Sequence, residues 1–123
     1  MVAIEFTAGS RFELAPEAGL SHFLEHMVFQ GCGPYSTPVE VSEAAERMGS
    51  TLDACTSRDT TRFDQRITPR AIKDSAKLIC EMLTLPKFAA METERAIILE
   101  EALDEFTEDG RRVDPDTRTR LAQ

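Results

Sequence analysis

The arrangement of apolar and polar residues along the chain predicts an alternation of strands and helices. Between Val2 and Thr7, large apolar residues alternate with smaller or polar ones, which is the period-two pattern of a half-buried strand. The segments 51–56 and 60–67 are rich in threonine with interspersed apolar residues, and a short polar stretch joins them. We therefore expect a strand at the start of the chain and a β-hairpin near its middle.

Two helices are expected between the first strand and the hairpin. The first follows Pro16 and ends near Gly31, with an apolar residue at every third or fourth position. The second begins with the cap-and-proline pair Thr37-Pro38, which Glu40 supports as a capping-box residue, and stops at Gly49. The apolar face expected to be buried in the first helix consists of Leu20, Phe23, Leu24, Met27 and Val28.

Two more helices are expected after the hairpin. The third begins at Thr68-Pro69 and ends at the break before Pro86, and the fourth runs without Gly or Pro from about Met91 to Glu108. Beyond Gly110 the chain is polar and lacks periodicity. The expected apolar faces are Ile72, Ala76, Ile79 and Leu83 in the third helix, and Leu99, Ala102, Leu103 and Phe106 in the fourth.

Composition and charge narrow the classes of function. The chain has 123 residues and a net charge of −8, a sign that repels phosphate backbones, so nucleic acid is not an expected partner. Its three cysteines do not suit a disulfide framework and are interpreted as reduced thiols. No apolar run approaches the roughly 20 residues of a membrane span, and no signal peptide is recognisable. We expect a cytoplasmic protein without a membrane contact, with the periplasm and an organelle as the alternatives.

One helix carries residues suited to binding a metal ion. His22 and His26 are four positions apart, so both imidazoles project from one face of the first helix and can reach the same cation. At about 100° per residue, this face lies opposite the apolar one. Glu25 stands between the histidines and is our candidate general base, since its carboxylate can accept a proton from an attacking water.

A catalytic zinc site usually needs a third protein ligand, and the chain contains no third histidine. Glu94 and Glu101 are seven positions apart and share one face of the fourth helix, opposite its apolar face. If this helix packs beside the first, Glu101 can complete the site. The alternative is that the two histidines are simply solvated on the polar side of an amphipathic helix.

The segment Ala18 to Gly31, with its H-x-x-E-H motif, resembles the signature of the pitrilysin, insulin-degrading enzyme and mitochondrial processing peptidase family of zinc metallopeptidases. Three further segments resemble family motifs in family order: Ala8 to Arg11, Ala54 to Ser57, and Glu94 to Glu101. The interval between His26 and Glu101 also suits the family and favours Glu101 over Glu100.

The resemblance implies a role for each of these residues. It implies Zn²⁺ bound by His22, His26 and Glu101, water activation by Glu25, and support of the ligands by Glu94. In the family an extended peptide adds to an edge strand beside the zinc, which implies that Asp53, Ala54 and Cys55 bind substrate through their backbone. Asp53 stands where family members usually have Asn.

We therefore expect an α+β fold: a mainly antiparallel sheet with helices packed on one side, the processing-peptidase-like metallohydrolase fold, as an incomplete domain. Residues 1–110 are expected to form the zinc-binding peptidase part, and residues 111–123 a connection or a truncated end. The expected partners are the remaining half of the peptidase, a partner subunit or a second copy of the chain, because an exposed sheet edge invites pairing.

The function expected from the resemblance is that of a zinc metalloendopeptidase acting on peptides or unfolded proteins, with the isolated stretch weakly active or inactive. A rival function is that of a non-catalytic substrate-binding or assembly subunit, since processing-peptidase complexes contain such members. A third interpretation is an α+β domain with incidental histidines. The complete set of His22, Glu25, His26 and Glu101 favours the enzyme.

Overall fold

The computed structural model describes residues 1–104, which form three strands and four α-helices. The strands are β1 (Val2–Phe6), β2 (Leu52–Thr56) and β3 (Thr61–Gln65). The helices are α1 (Leu20–Val28), α2 (Pro38–Glu46), α3 (Ile72–Thr84) and α4 (Met91–Asp104), and short 3-10 turns lie at Ser10–Phe12, Ala15–Glu17 and Pro69–Ala71. The expected α+β class is confirmed.

The sheet is antiparallel, and β3 is its central strand. The strand order is β1-β3-β2, so the expected hairpin is present and both β1 and β2 lie at edges of this sheet. Alternate residues of β3 are buried, starting with Thr61 and including Phe63 and Gln65. Helices α1, α2 and α3 pack on this face. The opposite face carries charged side chains such as Arg62 and Asp64.

The core lies between this face of the sheet and the helices α1, α2 and α3. Gln65 is fully buried within it, and its side-chain amide donates hydrogen bonds to the carbonyls of Ala45 and Ser50 at 2.8 and 2.7 Å. These bonds join β3 to the end of α2, which begins at Pro38 under the Thr37 cap as expected. The buried apolar cluster consists of Val28, Cys32, Val41, Ala44, Ala45, Phe63, Leu78, Ile79 and Met82.

The expected apolar faces of two helices in this part are only partly buried. In α1, Met27 and Val28 are buried, but Leu20 and Leu24 are about half exposed, at 53% and 49%. Leu24 instead lines a pocket of about 460 Å³ together with Phe6, Phe63 and Phe88. Only the C-terminal half of α1 therefore packs into the core of the described residues.

In α3 the buried face is rotated relative to the expected one. Ser75, Leu78, Ile79 and Met82 are buried, whereas Ile72 is 50% exposed. The small Ser75 side chain and the long Met82 side chain are both completely buried on this face. The sequence pattern missed this face because it counts serine as a polar residue.

The chain divides into two compact units, Met1–Met91 and Glu92–Gln123, and the second contains nearly all of α4. In α4 the expected apolar face is exposed at Leu99 and Leu103, and Phe106 lies outside the described residues. The expected boundary between residues 110 and 111 also lies outside them and stays a prediction. Among residues 1–104, no helix has both the length and the apolar character needed to cross a membrane.

The three thiols should differ in reactivity. All are free of disulfides, but Cys32 is fully buried while Cys55 and Cys80 are exposed. Burial, and then the nearby Glu81 carboxylate, raise the pKa of the Cys32 thiol, so it stays protonated and unreactive.

We expect a thiol reagent to label Cys55 and Cys80 rapidly in the native protein and Cys32 only on unfolding. A Cys32→Ala variant that loses a rapidly labelled site would contradict this assignment.

Candidate metal centre

The start of α1 is set by Gly19. This residue has a φ of 90°, a left-handed conformation that favours glycine, and it separates the 3-10 turn Ala15–Glu17 from the helix that begins at Leu20. The helix follows Pro16 as expected, but Pro16 itself lies in the separate turn. The two histidines therefore lie in the first two turns of a nine-residue helix.

Glu13 satisfies the free N–H groups at this helix start. Its carboxylate accepts hydrogen bonds from the backbone N–H groups of Gly19 and Ser21, each at 2.7 Å. Although partial burial raises the pKa of the Glu13 carboxyl, hydrogen bonds from the Ser21 side chain and from these two N–H groups bring the pKa below its usual value. Ser21 precedes His22, so this contact orders the turn that carries the first candidate ligand.

The side chains of His22 and His26 approach each other closely through their ring nitrogens. Their Nε2 atoms are 3.2 Å apart, and the ring planes are nearly perpendicular at 87°. Two nitrogens that bind one tetrahedral zinc at about 2.05 Å lie about 3.3 Å from each other. The observed separation therefore matches that of two ligands of a single zinc ion.

Glu25 lies beside this pair. One of its carboxylate oxygens and a ring nitrogen of each histidine lie within 4.8 Å of one another, and all three residues are half-buried. The other contact of this carboxylate is with the sheet, because Thr56 Oγ1 donates a hydrogen bond to Glu25 Oε2. The polar face of α1 is thus turned towards the end of β2 rather than fully into solvent.

The hairpin end that carries Thr56 is held by the segment after β1. Ser10 and Arg11 donate backbone hydrogen bonds to the carbonyls of Ser57 and Arg58 at 3.2 and 2.8 Å, and Arg11 forms an ion pair with Asp59 at 2.9 Å. A Cβ at Gly9 would lie 2.4 Å from the Ser57 carbonyl oxygen. Only glycine fits this close approach, which explains its place in the segment Ala8 to Arg11.

The expected substrate-binding residues lie in the middle of β2. Asp53 and Cys55 are exposed and share the charged face of the sheet, while Ala54 is half-buried on the helix side. On one side β2 pairs with β3, and its other edge has no strand beside it within residues 1–104. Backbone groups on this edge can pair with an extended peptide, but their role in binding stays a prediction.

The candidate acidic ligands lie on α4. Glu94 and Glu101 are both within this helix, seven positions apart as expected. Their helix belongs to the second unit of the chain. The meeting of Glu101 with the histidine pair, and the supporting role of Glu94, therefore stay predictions.

Two contributors to the site were missed by the sequence analysis. Glu13 lies six residues before Gly19, a spacing that matches no local capping pattern. Thr56 belongs to a segment that was singled out, but its contact with Glu25 spans 31 residues and depends on how α1 packs against the sheet. Neither contact has a signal in local sequence spacing.

The comparison with known sequences identifies a family of peptidases. A sequence model of the family described as insulinase, peptidase family M16, matches residues 1–120. The β subunit of the mitochondrial processing peptidase of Dictyostelium discoideum is 31% identical over 102 residues, which are 81% of this chain and 22% of that protein. The chain thus spans about a fifth of the length of the curated relatives it matches.

Two further relatives bear on function and fold. Core protein I of the mitochondrial ubiquinol-cytochrome-c reductase complex of Euglena gracilis is 31% identical over 105 residues, covering 84% of this chain and 21% of that protein. The crystal structure of a protease from Helicobacter pylori superposes with a TM-score of 0.77 at 25% identity, over 85% of this chain and 25% of that one. Both an enzyme and a component of a respiratory complex are thus similar to this chain.

Removing the cap on α1 should weaken both the helix and metal binding. We expect Glu13→Ala to lower the free energy of unfolding by about 1 kcal/mol, the usual loss for a removed helix cap, and to weaken zinc binding because the turn before His22 frays. Glu17→Ala is the matched control, since Glu17 bonds only Leu14 N within its own 3-10 turn, at 3.1 Å. Thermal melts and zinc titration measure both effects, and equal losses in the two variants would contradict the assignment.

This cap should also be sensitive to pH. The folded-state pKa of Glu13 lies below the ordinary value of a glutamate. Its contribution to stability is therefore complete above that ordinary value and is lost as the pH falls through the folded-state pKa. The difference in melting temperature between metal-free wild type and Glu13→Gln should therefore shrink on acidification. A difference in melting temperature that grows as the pH falls would contradict this prediction, because it would require a raised folded-state pKa for Glu13.

Proposed function

The chain belongs to the insulinase family, peptidase family M16, and on that premise we propose that it forms the zinc-binding part of a metallopeptidase that hydrolyses peptide bonds. The observation that carries this proposal is the approach of the His22 and His26 Nε2 atoms to 3.2 Å. The i, i+4 spacing brings the two rings together on α1, and a separation of 3.2 Å fits two ligands of one zinc ion.

The proposed ligands are His22, His26 and Glu101. The donor set of two imidazoles and a carboxylate is one that catalytic zinc sites use, with the fourth position open to water or substrate. Among the described residues, the only cluster of metal-binding side chains is His22, Glu25 and His26. Glu101 is proposed from the sequence resemblance, and Glu94 is proposed to support the ligands through hydrogen bonds from outside.

Glu25 is proposed as the general base. A zinc ion held by the histidines would supply Lewis-acid chemistry: it would make a water more acidic and polarise the substrate carbonyl. The Glu25 carboxylate lies close to the nitrogens of both histidines. In this role it accepts the proton of the attacking water. The protonated carboxyl can then donate this proton to the leaving amine of the cleaved peptide.

The free edge of β2 is proposed to bind the substrate as an additional strand. Backbone groups of Asp53, Ala54 and Cys55 can pair with an extended peptide, and β2 ends at Thr56, in contact with Glu25. This arrangement brings an added strand to the proposed base. It selects extended chains, so the expected substrates are peptides and unfolded proteins rather than compact domains.

A second candidate function is a non-catalytic subunit that binds substrate or supports assembly. It is favoured by the similarity to core protein I of a respiratory complex. Because the chain spans about a fifth of the length of its relatives, the activity of the isolated chain is expected to be weak or absent. The rest of a longer peptidase, a partner subunit or a second copy is the proposed partner, and the mitochondrial relatives make an organelle as plausible as the cytoplasm.

The metal content of matched variants tests the proposed ligands. We expect about one zinc per chain in the wild type and much less in Glu101→Gln, which removes an anionic ligand with little change in shape. Glu100→Gln is the control, because it removes the same charge from the next position on α4, about 100° away. Elemental analysis after purification without added metal measures the ratio. Equal retention by both variants would place the third ligand elsewhere.

Hydrolysis separates the two candidate functions. We expect Glu25→Gln to keep its zinc but to lose about 100-fold or more of the cleavage rate, because a general base contributes this much. The assay follows peptides released from an unfolded protein by mass spectrometry, with the chain at high concentration to compensate for low activity. Release above the background of a protein-free control that is equal in the wild type and Glu25→Gln would contradict the role of Glu25 as the base.

A further inference from the structure

A hydroxyl group on β2 contacts the carboxylate of the proposed base. Thr56 Oγ1 donates a hydrogen bond to Glu25 Oε2, and the Glu25 carboxylate also lies within 4.8 Å of the histidine nitrogens. The carboxylate therefore spans the distance from the candidate metal ligands to the end of the sheet. Without this contact, the long and flexible Glu25 side chain would have several rotamers available on a half-buried helix face.

The acceptor fixes the direction of this hydrogen bond, and the neighbouring Thr61 hydroxyl has a different partner. Thr61 Oγ1 lies 3.5 Å from Thr56 Oγ1 and donates its own proton to the Ala8 carbonyl at 2.8 Å. Each threonine hydroxyl has one proton to donate, and an ionised carboxylate only accepts. Thr56 is therefore the donor to Glu25, and the Thr61 proton goes separately to Ala8.

The strand makes Thr56 a rigid anchor. Thr56 is the last residue of β2 and pairs directly with Thr61 of β3, and Ser57 continues the hairpin with a hydrogen bond from its N–H to the Thr60 carbonyl at 2.7 Å. Side chains of a strand alternate between its two faces, so the backbone pairing directs Thr56 towards α1. The anchor therefore does not depend on the flexibility of a loop.

We propose that Thr56 is a positioning residue for the peptidase reaction: its hydroxyl holds the Glu25 carboxylate beside the histidine pair, in the orientation needed to accept a proton from the attacking water. This inference rests on the proposed function. A hydrogen bond from a neutral hydroxyl to a charged carboxylate is among the stronger kinds in proteins. It orders the base before substrate arrives, so its loss should affect the chemical step rather than substrate binding.

Kinetics of isosteric variants test the positioning role. We expect Thr56→Val to lower kcat about tenfold with KM within about twofold of wild type, and Thr56→Ser to restore kcat because it keeps the hydroxyl. Thr61→Val is the matched control: it removes the paired hydroxyl from the adjacent strand, where the bond to Ala8 is lost but Glu25 is not contacted. An unchanged kcat in Thr56→Val, or an equal loss in Thr61→Val, would overturn the proposal.

A second measurement tests the hydrogen bond without relying on activity. In a double-mutant cycle of urea unfolding, Thr56→Val should change the unfolding equilibrium constant about fivefold more when Glu25 is present than in a Glu25→Ala background. No coupling would overturn the proposal even if kcat falls. Should Thr56→Val fail to fold, Thr56→Ala and Thr56→Ser replace it in both measurements. If wild type and Glu25→Gln cleave equally, the proposed function fails, and the cycle alone still decides whether Thr56 holds Glu25.

Discussion

The burial of Met27 and Val28, the latter in one cluster with Phe63 of β3, holds the C-terminal end of α1 in place, and the geometry of the candidate site depends on this packing. Both side chains are almost completely buried, at 2% and 3% exposure, while the N-terminal half of the helix stays partly open. Successive helical positions differ by a fixed rotation, so pinning these two residues also fixes the directions of Glu25 and His26. His22 follows because it lies one turn earlier. Core packing at one end of a short helix thus orients the polar groups at the other.

Elements governed by local rules could be predicted from the sequence. The Thr37-Pro38 pair gave the start of α2, because a hydroxyl cap and a proline at the first helical position are local preferences. The hairpin followed from alternating residues around a short polar link. The approach of the two histidine rings also follows from local geometry, since residues four apart on a helix are neighbours in space. In each case the determining contacts lie within a few residues.

Features that depend on tertiary contacts could not be predicted in this way. The buried face of α3 includes Ser75, a polar residue that an apolar pattern does not count. Leu20 and Leu24 follow the apolar pattern of α1, yet the described residues leave them about half exposed. Glu13 acts as a cap from an unusual distance because the chain turns back at Gly19. Periodicity records which residues are apolar, but not which neighbours reach them.

The strand β2 has two side-chain faces and one free backbone edge, and the three differ in chemistry. Its helix-facing side ends in Thr56, which contacts Glu25, and its opposite side carries Asp53 in a charged surface with Arg62 and Asp64. Exposed edge strands are prone to uncontrolled pairing, and charged side chains reduce that tendency. The free backbone edge of β2 can form hydrogen bonds with one extended chain. The same strand carries this edge and Thr56. It would therefore fix the position of an added peptide relative to the Glu25 carboxylate. A site of this kind can align its substrate and its base through the pairing of one strand, without requiring a mobile loop to close.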